Sequence, residues 1–158
     1  MRKTREEIER KVGSGVMLLD GATGTVLYGE GGRHPEMLSI THPRLVADLH
    51  RKYLDAGTDI IRTNTFNACS LSDDMVERVT RAAVRIAREC VDSSGCEALV
   101  AGVVSPLGDK EKFNRQIGAL IRGGADILLF ETVMSCESML LAYETACEQE
   151  NAIGVELP

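Results

Sequence analysis

The chain has 158 residues, 44% of them apolar and 4% aromatic, and a net charge of −6. This length suits a single domain with a real core. The acidic balance, the few aromatics and the absence of a Lys/Arg stripe argue against a nucleic-acid surface. Residues 1–11 are charged throughout and no apolar run approaches spanning length, so neither a signal peptide nor a membrane helix is expected. The expected location is the cytoplasm. The cysteines, Cys69, Cys90, Cys96, Cys136 and Cys147, are odd in number and show no C-x-x-C spacing, which reads as reduced thiols. Cys90 and Cys147 fall on apolar helical stripes.

A leading helix is expected within residues 1–12, opened by the capping-box pair Thr4 and Glu7. A first strand over residues 16–19 ends in Asp20-Gly21. A long loop follows, with Gly21, Gly24, Gly29, Gly31 and Gly32. Thr41 and Pro43 then open a helix whose apolar face is Leu45, Leu49, Tyr53 and Ala56, and Gly57 ends it. A second strand over residues 59–61 leads into Thr63-Asn64-Thr65. The next helix spans residues 73–91, with a stripe of Val76, Val79, Ala83, Ile86 and Cys90, and is broken by Ser93, Ser94 and Gly95. The third strand, residues 99–104, ends at Ser105-Pro106, where proline cannot continue the ladder. Asp109 caps a helix that buries Phe113, Ile117, Leu120 and Ile121 and stops at Gly123-Gly124. A fourth strand, residues 127–130, ends in Glu131-Thr132. The last helix begins near Ser135 and carries Met139, Leu140, Tyr143, Ala146 and Cys147. Residues 154–158 read as the lead-in to another strand.

Strands that are unbroken apolar runs and alternate with helices predict an α/β fold of parallel βα repeats, one domain over residues 1–158. In such sheets ligands sit at the carboxyl ends of the strands. The polar strand ends Asp20-Gly21, Thr63-Asn64-Thr65, Ser105 and Glu131-Thr132 therefore fall on one face. The glycine-rich loop lacks lysine and meets neither the Walker nor the dinucleotide spacing, so it is a poor phosphate cradle. His42 and His50 belong to the first long helix as surface or packing residues. His34, Cys69 and Cys136 fall on the ligand face, and a zinc site from these three is a minor alternative.

Four stretches resemble the homocysteine S-methyltransferase family. They are residues 18–25 (LLDGATGT), residues 54–67 (LDAGTDIIRTNTFN), residues 100–102 (VAG) and residues 123–132 (GGADILLFET). The similarity is greatest to the homocysteine-binding domain of cobalamin-dependent methionine synthase. The resemblance implies a (β/α)8 barrel of which this chain supplies the first four βα units. It implies zinc held by three cysteines of the second half, which have no counterpart here, and methylcobalamin as donor in the methionine synthase branch. No metal ligand and no catalytic residue is thus expected in this chain. Asp20 and Glu131 would hold the substrate ammonium, since charge-assisted hydrogen bonds are strong in a desolvated pocket. Backbone N–H groups near Gly21, with Thr63, Asn64 and Thr65, would receive its carboxylate.

Half a barrel leaves an uncovered inner face and two open sheet edges. The expected remedy is a homo-oligomer or a complementary half-barrel chain. The functional expectation is a methyltransferase-like half barrel that binds the amino acid end of homocysteine and is inactive alone. The rivals are a non-catalytic binding or assembly protein and one half of a split enzyme.

Overall fold

A computed structural model describes residues 3–31, 33–105 and 107–153. Gly32, Pro106 and the strand lead-in expected at residues 154–158 lie outside the described residues. The centre is a parallel three-stranded sheet of β1 (Ile60–Arg62), β2 (Leu99–Val104) and β3 (Ile127–Phe130), in that order. The register pairs Ile60 with Leu99, Ala101 with Ile127 and Val104 with Phe130. The expected first strand is reduced to a single parallel bridge between Leu19 and Ile60. Asp59 and Ile60 donate their N–H groups to Leu18 O, and Asp20 donates to Ile60 O at 3.0 Å. That is enough to fix Asp20 beside β1. With no described strand on its other side, Val16 is 90% exposed and Leu18 59% exposed.

Alternation along each strand separates two faces. Ile61, Val100, Val104, Leu128 and Phe130 point to the helices and join the main core. That layer consists of α4 (Pro43–Asp55), α5 (Asp73–Ser94), α6 (Lys110–Arg122) and α7 (Cys136–Ile153). Gly102 lets α6 close on β2, because a Cβ there would stand 3.0 Å from a Leu120 methyl. Ile60, Leu99 and Ala101 occupy the other face, with Met17, Ile127 and Leu129 packed against them and Ile8 covering them. Ile8 comes from α1 (Arg5–Gly13), whose capping box is formed as expected: Thr4 Oγ1 accepts from Glu7 N, and Thr4 N donates to Glu7 Oε2 at 2.7 Å.

The long helices match their sequence patterns unevenly. In α5 the whole stripe from Val76 to Cys90 is buried, and Gly95 ends the helix at φ 73°. Asp109 caps α6 by accepting from Lys112 N at 2.9 Å. On α4 the face turns by one position: Val46, Leu49, His50 and Leu54 are buried, while Leu45 and Ala56 are exposed. Thr41 ends the one-turn helix α3 (Leu38–Thr41) rather than capping α4, and His42 takes the cap position. On α7 Ala142, Thr145 and Ala146 are buried, whereas Leu140 and Tyr143 from the expected stripe face outward. The glycine-rich loop is largely a helix, α2 (Thr23–Gly31), anchored by Leu27.

Candidate functional site

Alternation that puts Ile60 on the inner face puts Arg62 there too, at the carboxyl end of β1. The rung from Glu131 N to Val104 O, 3.1 Å, carries the β2–β3 ladder one residue past β3 and places Glu131 at the same level. Asp20, held to Ile60 O, is the third member. Arg62 joins the two acids: its Nε donates to Asp20 Oδ1 at 2.6 Å and its Nη1 to Glu131 Oε1 at 2.7 Å. Its Nη2 donates to Asp20 O at 3.1 Å and to Gly21 O at 2.7 Å, and its backbone N–H donates to Asp20 Oδ2.

The expected acids therefore converge, but on a cation of the chain itself. The Asp20 side chain is fully buried, and those of Arg62 and Glu131 are 22% and 25% exposed. Burial pushes the Asp20 carboxyl above its usual range, against the pull of the Arg62 hydrogen bonds and charge. Burial also disfavours the Arg62 cation, but the hydrogen bonds to Asp20 and Glu131 outweigh it and its pKa is raised. Guanidinium does not deprotonate in proteins, so the pair with Asp20 is ionic. Arg62 was legible in principle: a lone charge closing an apolar strand, in phase with its inward side chains, signals a buried partner.

Thr63, Asn64 and Thr65 lie beside this cluster, with their side-chain donors turned into the scaffold. Thr65 Oγ1 donates to Val103 O at 2.7 Å and lies 2.7 Å from Thr63 Oγ1, which accepts from Val103 N at 3.0 Å. A hydroxyl has one proton, so the Thr63 proton goes to Thr65 and neither hydroxyl donates to a ligand. Asn64 Nδ2 donates to Pro35 O and Ser39 Oγ. Glu36 Oε1 accepts from Asn67 N at 2.9 Å, a second tie between the first loop and the loop after β1.

A cavity of about 570 Å³ opens here, on the expected face. Its wall includes the first turn of α2 at Thr23, Gly24 and Thr25, with Arg33, Arg62 and Glu131. Thr132, also in the wall, has φ 56°, which is strained for a β-branched residue. Gly21 packs against Tyr53, whose Oη would stand 2.9 Å from a Cβ at that position.

The alternative metal site does not assemble. Cys69 is buried with Sγ 2.9 Å from Gln116 Oε1, and burial pushes its thiol up to about 12. Gln116 Nε2 donates to Thr65 O and Val103 O, so Cys69 belongs to the lock behind the site. Cys136 and His34 are exposed, and among the described residues no three His, Cys, Asp or Glu side chains converge as a metal site. The residues described do not fit zinc.

Parallel βα units with a cavity at the strand carboxyl ends define a segment of a barrel-type fold. A family model for homocysteine S-methyltransferase matches residues 17–158. The chain belongs to the homocysteine S-methyltransferase family. It is similar to the solved apo form of the homocysteine methyltransferase MmuM from Escherichia coli, with 25% identity and a TM-score of 0.67, covering 90% of this chain and 58% of that one. The metallated form of the same enzyme gives 22% identity and a TM-score of 0.70, covering 93% of this chain and 63% of that one. The chain thus spans less than two thirds of these relatives. No described helix is long and apolar enough to cross a membrane.

Proposed function

We propose that the chain is the amino-terminal half of a homocysteine S-methyltransferase barrel and that its cavity takes the amino acid end of homocysteine. The observation that carries this reading is the cavity at the strand ends, with Glu131 partly exposed in its wall. Glu131 receives the ammonium group. Asp20 is too buried to touch a ligand and acts by holding Arg62. With the side-chain donors of Thr63, Asn64 and Thr65 engaged elsewhere, the substrate carboxylate falls to backbone N–H groups between Gly21 and the first turn of α2, where the helix dipole favours an anion.

Methyl transfer in this reading needs the other half of the barrel, and the chain is inactive by itself. Thiol activation and the binding of the methyl donor are assigned to residues outside this chain. A complementary half or a second copy meets two apolar borders. One is formed by Val16, Leu18 and Leu19, the other by Val133, Met134, Leu140 and Tyr143, all at least 46% exposed. The unpaired cysteines suit a reducing cytoplasm.

Glu131→Gln tests the site. Losing the charge opposite an ammonium group forfeits a charge-assisted hydrogen bond of about 1.5–3 kcal/mol, or about tenfold and more in Kd. Calorimetry should show that loss for homocysteine and none for its des-amino analogue. Equal affinity of both proteins for homocysteine would remove Glu131 from the site.

A further inference from the structure

The Asp20–Arg62–Glu131 cluster has a feature that a pair of acids awaiting a ligand lacks: its cation is already present. We propose that Arg62 is a specificity-determining residue, whose guanidinium fills the acid pair from within, so that a ligand ammonium gains Glu131 only in competition with Arg62. The inference rests on the reading of the cavity as an amino acid site and names what controls that site.

Hydrogen-bond accounting carries it. Both Asp20 carboxylate oxygens accept from Arg62, one from Nε and one from the backbone N–H, and the side chain has no exposed surface. No ligand can share it. Glu131 Oε1 is held by Nη1 at 2.7 Å. Nη2 is fixed by the carbonyls of Asp20 and Gly21, so the guanidinium is anchored on the side of the first loop. Four of its five N–H donors are accounted for. The fifth, on Nη1, has no acceptor among the described residues.

An ammonium group arriving at Glu131 therefore meets a carboxylate whose charge is already shared, beside a fixed positive charge that repels it. A ligand carboxylate meets the opposite situation, since the remaining Nη1–H can donate to it. The site so built favours acids without an amino group relative to the same site lacking Arg62. Ammonium-bearing ligands enter by drawing Glu131 away from Nη1, and Glu131 is exposed enough to move.

The test is calorimetry of homocysteine and its des-amino analogue against the native chain, Arg62→Gln and the double variant Asp20→Asn/Arg62→Leu. Arg62→Gln keeps a hydrogen-bonding group beside Asp20 without the charge. The double variant removes both members of the buried pair and so leaves no uncompensated buried carboxylate, whereas a change at Arg62 alone leaves Asp20 as one. Homocysteine affinity should rise about tenfold in both variants, while the des-amino analogue binds equally or more weakly. A purely structural role for Arg62 would weaken both ligands together. Homocysteine binding that is present in the native chain and unchanged or weaker in both variants overturns the inference and leaves the amino acid site standing. Binding to the variants alone supports the inference. No homocysteine binding by any of the three proteins overturns the site and the inference with it.

Discussion

At the scale of single residues, the candidate site is a three-member ion cluster in which the buried Asp20 holds Arg62 and the partly exposed Glu131 lines the cavity. Breaking a buried pair from one side leaves an uncompensated charge, whereas removing both sides can be close to neutral. Asp20→Ala should therefore destabilise the fold by about 3 kcal/mol, and Asp20→Asn/Arg62→Leu should recover most of that loss. Urea unfolding at neutral pH measures both; equal stabilities for the two variants would mean that Arg62 finds water in place of Asp20. The two acids of this cluster were legible in the sequence because they close strands. The direction of Thr63, Asn64 and Thr65 was not, because a polar residue at a strand end can turn to the ligand or to the scaffold. For the two threonines the partner is Val103, 38 residues after Thr65, whose O accepts from Thr65 Oγ1 and whose N–H donates to Thr63 Oγ1.

At the scale of elements, helices packed on both sides were read well and helices at the border were not. The stripe on α5 lies between neighbours and is buried throughout. Of the α7 stripe Met139, Leu140, Tyr143, Ala146 and Cys147, Ala146 is buried as expected, but Leu140 and Tyr143 face outward while Ala142 and Thr145 are buried, and no described helix packs beyond α7. Glycine content makes residues 23–31 read as loop, yet they form α2 with Leu27 buried in the main core. His50 on α4 is fully buried, without a hydrogen-bond partner for either ring nitrogen among the described residues, and burial lowers its pKa from 6.5 to about 4. The unfolded chain binds this proton more readily, so His50 supports stability fully above pH 6.5 and loses that support as pH falls towards 4. At 1.36 kcal/mol per pH unit the loss is on the order of 3 kcal/mol. His50→Leu should be comparable to the native chain at pH 7.5 and more stable than it at pH 4.5. A constant difference across that range would show that His50 titrates normally in the fold.

At the scale of the whole molecule, three paired strands and a bridged fourth segment leave edges at Leu18–Leu19 and along β3, all four of whose residues are only half-buried. Ile8 from α1 covers part of the inner face, so the bareness expected of half a barrel is real at the borders and relieved between them. Unpaired edges and apolar borders favour association. Light scattering at micromolar concentration should give a dimer or larger species, and a persistent monomer would locate the missing cover within the chain itself. Three of the four expected strands form the sheet, and the first survives only as the Leu19–Ile60 bridge.

The central claim is that the strand carboxyl ends form an amino acid site. Amide and guanidinium NMR shifts on titration with homocysteine test it most directly. The expected perturbations cluster at Gly21–Thr25, Glu131, Thr132 and the Arg62 Nε–H, with α1 at the other end of the sheet silent. Shifts that are absent, or that fall on α1 instead, would contradict it.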